Sequence, residues 1–169
     1  GNYSKDVSVY EDIPPPARMI GSEYYKFGFV RDPVCWYSSL FKYETSVRKS
    51  SFRFDPMVRG DNINEYIKNI KKFEKTKLRM SVMYNHIFSL GHDRECTNIF
   101  KYEDLYNVLL KVLSLNGIDA SDLMKNKKTE KINSSNSYCG QDMNQESLDF
   151  IYESCKGIYD KFEYKRRYA

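Results

Sequence analysis

The pattern of apolar and polar positions predicts two buried strands separated by helices. Residues 25–30 read YKFGFV, a nearly continuous run of apolar and aromatic side chains, as expected for a strand that is covered on both faces. Residues 97–102, TNIFKY, form a second such run. A helical pattern follows each run at once, and strands joined through helices favour a parallel sheet in an α/β fold.

Helical spacing of apolar residues predicts the connecting helices. Asp32 and Pro33 suit the N-cap and the first position of a helix that runs to about residue 48. Further helices are predicted over 61–75, 78–90 and about 144–164. The helix after the second strand ends at Gly117. We expect it to turn these side chains inward: Leu105, Val108, Leu109, Val112 and Leu113.

The rest of the chain is predicted to be irregular. Three consecutive prolines at 14–16 exclude a helix interior, and the polar stretch 119–142 reads as a loop. No repeat or linker divides the chain, so we predict one domain over 1–169 with an irregular segment at 1–24. Two strands are too few for a sheet, so further strands are expected within 1–24 or before residue 1.

Composition narrows the class of protein. The chain has 169 residues, 41% hydrophobic and 30% charged, which is typical of a globular domain. No run of about 18 apolar residues and no signal-peptide pattern is visible, so the sequence predicts no membrane segment and slightly favours the cytoplasm. The net charge of +4 suits an anionic small molecule as well as a nucleic acid, and fits ordinary surface charge equally well.

The four cysteines indicate no metal site. They lie at 35, 96, 139 and 155 without a CxxC pair, and the two histidines add no ligand spacing. Cys35 and Cys155 lie in apolar patterns and are predicted to be buried thiols. A disulfide between Cys139 and one of the others stays open for an oxidising compartment.

A charged residue directly follows the first predicted strand. Ligands of parallel α/β sheets bind beyond the carboxyl ends of the strands. Arg31 lies at this edge, beside the N-terminus of the predicted helix. An arginine beside a helix N-terminus is a natural phosphate site. Ser39 comes eight residues after Arg31, about two helical turns along. The alternatives are that Arg31 pairs with a carboxylate such as Asp32 and that Ser39 bonds to a helix carbonyl.

Two pairs of residues near the ends of the strands each have two interpretations. Trp36 and Tyr37 either stack on a ligand or bury in the core, and we favour the core for at least one of them. Glu103 and Asp104 are expected to cap the helix after the second strand rather than to take part in chemistry.

Three segments, in order, resemble the sulfotransferases that use PAPS (3′-phosphoadenosine 5′-phosphosulfate). FGFVRDPVCWYSSLF resembles the family's 3′-phosphate segment, in which a strand precedes Arg-Asn/Asp-Pro and a helix with Ser eight residues after the Arg. NIFKYEDL resembles a later strand that ends in Tyr-Glu-Asp-Leu. The stretch from NKKTEKINSS to YDKFEYKR resembles the basic loop and closing helix, without the glycine of the family's Phe/Tyr-Gly-Tyr ending.

The resemblance covers residues 25–166 and implies a P-loop-NTPase-like sulfotransferase fold, with PAPS as sulfuryl donor and no metal. It implies that Arg31 and Ser39 hold the 3′-phosphate and that a lysine loop closes over the adenylate. That loop contains Lys127, Lys128 and Lys131, for which a solvated lysine run is the alternative. The pattern is closer to short viral, bacterial and carbohydrate-type members than to the phenol and steroid enzymes.

The sequence departs from the family in one respect. The Lys-containing phosphosulfate loop precedes the Arg segment in the family, and nothing in 1–24 fits it. We expect that the chain starts after this loop, as Gly1 favours, or that the protein lacks it. No general base stands out, since Glu11 lies in a proline-rich stretch and His86 among apolar helix residues; both stay weak candidates.

Two functions follow as expectations. The first is transfer of a sulfuryl group from PAPS to a hydroxyl or amine of a carbohydrate or small-molecule acceptor. The second is a catalytically inactive sulfotransferase-like module that binds a partner. Nucleic-acid binding ranks third, because 27 basic residues are scattered among 23 acidic ones instead of forming a stripe.

Overall fold

The computed structural model describes residues 16–47, 58–73, 79–119 and 139–168. Within these ranges the chain forms two strands, six α-helices and two short 3₁₀ helices. The strands are β1 (Phe27–Val30) and β2 (Asn98–Lys101). The helices are α1 (Pro33–Val47), α2 (Ile63–Lys72), α3 (Met80–Phe88), α4 (Leu105–Leu115), α5 (Gln145–Ser154) and α6 (Lys156–Phe162), and the 3₁₀ helices are Ala17–Met19 and Tyr102–Asp104.

The two strands pair in parallel, as predicted. Phe27 lies opposite Asn98 and Val30 opposite Lys101, so both strands end at the same edge of the sheet. The connection between them contains α2 and α3. The α/β class, the parallel pairing and the high helix content are therefore confirmed, while the P-loop-like sulfotransferase arrangement stays a prediction.

The core lies between α1 and the helices packed around it. Tyr37 of α1 is fully buried, and its hydroxyl accepts a hydrogen bond from the backbone N–H of Met80, 3.1 Å away. Burial raises the pKa of Tyr37 above its usual value, so this side chain stays neutral. The other large side chains that are buried almost completely are Tyr66, Ile67, Ile70, Leu148 and Ile151.

A polar contact joins the beginnings of α2 and α5. Asn62 caps α2 by accepting hydrogen bonds from Asn64 and Glu65. The Asn64 amide oxygen then accepts from the Asn144 N–H at 2.8 Å and from the Ser147 hydroxyl at 2.9 Å. Two helices that lie far apart in sequence thus start from one shared hydrogen-bond cluster.

Two predicted helices differ from expectation. The helix predicted over about 144–164 breaks at Cys155, whose ψ of 17° leaves the helical range. In α4 only Val112 is buried, and the other apolar residues predicted to face inward are half-buried. The reason is that α4 packs against β2 and the adjoining 3₁₀ helix, and two strands cover only part of a helix surface.

No helix in the described ranges is both long enough and apolar enough to cross a membrane.

Candidate anion-binding site

A cavity of about 610 Å³ runs along β1, within the size range of small-molecule sites. All seven residues from Tyr25 to Arg31 line it. Successive side chains of a strand point to opposite faces of the sheet. Because consecutive residues of β1 all line the cavity, the cavity runs along the edge of this strand. The other lining residues are Ala17, Ile20, Trp36, Ser39, Met80, Met83, Tyr84, Ile87, Phe88, Cys96 and Tyr102.

Arg31 and Ser39 both line this cavity. Arg31 follows the last residue of β1, and Ser39 lies on α1 three residues after Trp36, which lines the cavity as well. Residues three apart share one face of a helix. The strand end and this face of α1 therefore bring the guanidinium, the hydroxyl and the indole to the wall of one cavity.

The Arg31 guanidinium is held over an aromatic ring. Its central carbon lies 5.5 Å from the centre of the Tyr102 ring, within the range of a cation–π contact. The pairing of Val30 with Lys101 makes Arg31 and Tyr102 neighbours, because each is the next residue after its strand. This contact helps to hold the guanidinium beside the ends of the two strands.

The N-terminus of α1 differs from the site expected from the sequence. Asp32 caps the helix as predicted, since its Oδ1 accepts from the Cys35 N–H at 3.1 Å, and Pro33 has no N–H to offer. The cap places a carboxylate where the dipole would attract an anion. The capped helix N-terminus therefore offers no anion site of the kind that the sequence predicts.

Glu103 joins the ends of the two strands. Its Oε1 accepts from the Asp32 N–H at 3.1 Å, and its Oε2 lies 2.9 Å from the Tyr164 hydroxyl. The same hydroxyl lies 3.0 Å from the Val30 carbonyl oxygen. Asp104 holds the N-cap position of α4, as predicted, but its side chain makes no cap hydrogen bond. The prediction is wrong for Glu103, whose carboxylate bonds to Asp32 and Tyr164 instead.

The half-buried Tyr164 completes this junction. Burial, followed by the hydrogen bond to Glu103, raises the pKa of Tyr164 above its usual value. Tyr164 therefore keeps its proton as a donor at neutral pH, and it fixes the backbone immediately before Arg31.

The loop before α5 is fastened to the start of α1. Cys35 forms a disulfide with Cys139, and the Gly140 N–H donates to the Ser38 hydroxyl at 3.3 Å. The prediction that Cys35 is a thiol is therefore wrong, and the pairing left open for Cys139 is the one the structure has. Cys155 is a buried thiol, as predicted, and burial raises its pKa to about 11.

The remaining predicted site residues fall in two groups. His86 is exposed on α3 and does not line the cavity, although its neighbours Met83 and Ile87 do. The others lie outside the described residues: Glu11, Lys127, Lys128 and Lys131. Of the paired aromatic residues, Tyr37 belongs to the core, as expected for at least one of them, and Trp36 borders the cavity.

Sequence reasoning missed three lining residues with useful chemistry. Tyr102 could have been found, since it follows β2 just as Arg31 follows β1. Lys26 precedes β1 and lines the cavity, while its ammonium donates to the Arg94 carbonyl at 3.2 Å. Tyr84 lies in an apolar helix pattern that marks it only as a core residue.

The described part of the chain contains no cluster of three or more His, Cys, Asp or Glu side chains able to hold a metal ion. No protein-family model, no curated protein and no solved structure matches this chain.

Proposed function

We propose that this chain binds a 3′-phosphorylated adenosine nucleotide through Arg31 and Ser39 and transfers a sulfuryl group from PAPS to a hydroxyl or amine. The observation that carries the proposal is that the two side chains of the phosphate motif line one cavity, at the carboxyl end of a parallel strand. Ligands of α/β sheets bind at this edge.

The residues present suit the nucleotide. A guanidinium offers paired N–H donors that match phosphate oxygens, and the Ser39 hydroxyl adds a further donor. Trp36 and Tyr102 supply aromatic surface beside these donors. When bound, PAPS supplies the activated sulfuryl group, and the described residues bind and orient the nucleotide.

A second function, nucleotide binding without transfer, has support of its own. Among the described residues that line the cavity there is no His, Asp or Glu, so none of the usual carboxylate or imidazole bases faces an acceptor. The candidate Glu11 lies outside the described residues, and His86 lies outside the cavity wall.

Calorimetric titration with adenosine 3′,5′-bisphosphate (PAP) tests the nucleotide site. We expect micromolar binding by the unmodified chain, and a loss of about 10- to 100-fold in Arg31→Ala, the range for a hydrogen bond to a charged group. Arg94→Ala is the matched control, because it removes the same charge from an exposed position outside the cavity wall. Equal PAP affinity in Arg31→Ala and the unmodified chain would contradict the proposal.

Specificity for the 3′-phosphate gives a second readout. Adenosine 5′-monophosphate lacks that phosphate, so the unmodified chain should prefer PAP, and Arg31→Ala should lose most of that preference. Incubation with ³⁵S-labelled PAPS then separates the two functions. Label transferred to an acceptor supports the enzyme, whereas PAP binding with no transfer supports nucleotide binding without transfer.

A further inference from the structure

An arginine side chain contacts both halves of the disulfide between Cys35 and Cys139. Arg167 Nη2 lies 3.5 Å from the Cys35 sulfur, and Nη1 donates to the Cys139 carbonyl oxygen at 2.7 Å. The two cysteines are nearly buried, whereas the Arg167 side chain is 40% exposed. The disulfide thus has a partly exposed cation against one of its sulfurs.

This contact stabilises the reduced form of the pair more than the oxidised form. A disulfide sulfur carries no charge and accepts hydrogen bonds weakly, so it gains little from the guanidinium. After reduction, a thiolate at Cys35 forms a charge-assisted bond with Arg167, which is stronger than a bond to a neutral group. An arginine beside a cysteine favours the thiolate over the thiol. A stabilised reduced form makes a disulfide easier to reduce.

Other groups beside Arg167 limit the size of this effect. The Asp32 carboxylate accepts from the same Nη2 at 3.3 Å and repels a thiolate at Cys35. A guanidinium carries five N–H donors, so it can pair with the carboxylate and the thiolate together. Tyr152 and Tyr159 also interact with Arg167, but burial raises the pKa of both above the usual value. They therefore add no charge at neutral pH.

We propose that Cys35 and Cys139 form a site of reversible thiol–disulfide exchange with a dithiol, in which Cys35 leaves as a thiolate paired with Arg167. A thiolate of the dithiol bonds to the Cys139 sulfur, while the bond between Cys35 and Cys139 breaks and its electron pair passes to Cys35. The second thiolate of the dithiol then attacks the dithiol sulfur in this mixed disulfide and releases Cys139. Two electrons pass from the dithiol to the protein. The dithiol loses two protons, of which Cys139 takes up one and water the other.

The direction of attack follows from the contact with Arg167. The sulfur with the more stable thiolate leaves more readily, so the reductant bonds to the other sulfur, that of Cys139. Cys139 lies in a surface turn, where Gly140 is half-buried and Gln141 is exposed. The Gly140 N–H and the Cys139 carbonyl hold this turn through bonds to Ser38 and Arg167. Local opening of these bonds exposes the sulfur to the reductant.

Equilibration in mixtures of reduced and oxidised dithiothreitol at neutral pH tests the proposal. Maleimide trapping and mass spectrometry give the reduced fraction. We expect the equilibrium constant for reduction to fall about tenfold in Arg167→Ala, the low end of the range for a hydrogen bond to a charged group. Arg167→Lys keeps the charge and should lose less. Lys165→Ala, at an exposed position of the same segment, should change nothing.

Two results would overturn the proposal. One is an equal equilibrium constant in Arg167→Ala and the unmodified chain. The other is a disulfide that stays oxidised in excess dithiothreitol until the chain unfolds. The ultraviolet absorption of the reduced chain adds a direct readout, because the unmodified chain should contain more thiolate than Arg167→Ala at the same pH.

A monothiol tests which sulfur is attacked. Glutathione leaves a mixed disulfide, and peptide mapping after acid trapping should find it on Cys139. Glutathione on Cys35 instead would overturn the assignment of the leaving sulfur. None of these measurements uses a nucleotide, so their outcome does not depend on the proposed function.

Discussion

Arg167 donates from Nη2 to Oδ2 of Asp32 at 3.3 Å, and joins positions 135 residues apart in the sequence. The other end of the same guanidinium donates to the Cys139 carbonyl oxygen at 2.7 Å. The backbone of Arg167 is held in turn by the Tyr152 hydroxyl. One side chain therefore fixes both the cap of α1 and the disulfide-bonded loop beside the candidate site.

Arg167→Ala should lower the free energy of unfolding by about 1–2 kcal/mol. The variant leaves the largely buried Asp32 carboxylate without its ion pair. The loss is modest because Arg167 itself is partly exposed to solvent. Urea unfolding measures the change. Lys165→Ala, at an exposed position of the same segment, is the control. Equal stability of the two variants would show that the Arg167 bonds add nothing.

The disulfide should stabilise the fold. It closes a segment with a sequence separation of 104 residues, and bonds of this kind typically contribute about 2–4 kcal/mol. We therefore expect a lower melting temperature in the presence of a phosphine reductant. The double variant Cys35→Ser/Cys139→Ser should melt at that lower temperature with or without reductant. Identical melting of the oxidised and reduced unmodified chain would contradict the prediction.

The helices and strands around the site can be predicted from the sequence because the residues that start and end them act locally. Asp32 and Pro33 mark a helix start through capping chemistry that needs no tertiary contact. Gly117 marks the end of α4, and it has the positive φ of 71° that favours glycine. The continuous apolar character of β1 was enough to predict a strand.

The contacts that shape the site could not be predicted in this way. The bonds from Glu103 to the Asp32 N–H and from Arg167 to Asp32 depend on how distant segments fold onto each other. Acidic residues favour helix N-termini, so the local pattern predicts that Glu103 caps the helix that follows it. The cavity wall contributed by α3 could not be predicted for a similar reason, because an apolar helix face looks the same in the sequence whether it packs on protein or lines a cavity.

Gly140→Ala should be costly at the contact between the loop and α1. Gly140 has a φ of 84°, and an added Cβ would come within 2.6 Å of Val34. Gly117 provides the matched comparison, because its φ of 71° is similar and no atom lies within 4 Å of its added Cβ. We expect about 1–2 kcal/mol of destabilisation in Gly117→Ala from backbone strain alone, and about 1–3 kcal/mol more in Gly140→Ala. Equal losses on urea unfolding would rule out the contact with Val34.

Glu163→Gly should stabilise the chain. Glu163 follows α6 with a φ of 53°, the left-handed conformation in which a non-glycine residue is strained. The sulfotransferase segment that this stretch resembles has glycine at the corresponding position. We expect a gain of up to about 1 kcal/mol. Glu153→Gly, inside α5, should instead lose about 1 kcal/mol, and a loss in Glu163→Gly on thermal unfolding would contradict the assignment of strain.

Buried tyrosines should make the fold sensitive to alkaline pH. Burial raises the pKa of Tyr84 to about 12, whereas a tyrosine in the unfolded chain loses its proton near pH 10. Between these values the unfolded state binds fewer protons, so stability falls as pH rises. The pKa is raised by burial in these tyrosines as well: Tyr37, Tyr66, Tyr159 and Tyr164.

Tyr84→Phe measures how much Tyr84 contributes to the loss of stability at alkaline pH. Phenylalanine cannot ionise, so the variant should lose less stability than the unmodified chain between pH 10 and 12, by about 1.4 kcal/mol per pH unit at most. Urea unfolding at pH 8, 10 and 11 measures the slope. Tyr168→Phe is the control, because Tyr168 is 77% exposed and its removal should leave the slope unchanged. The same slope in Tyr84→Phe and the unmodified chain would mean that the Tyr84 hydroxyl reaches water in the folded state.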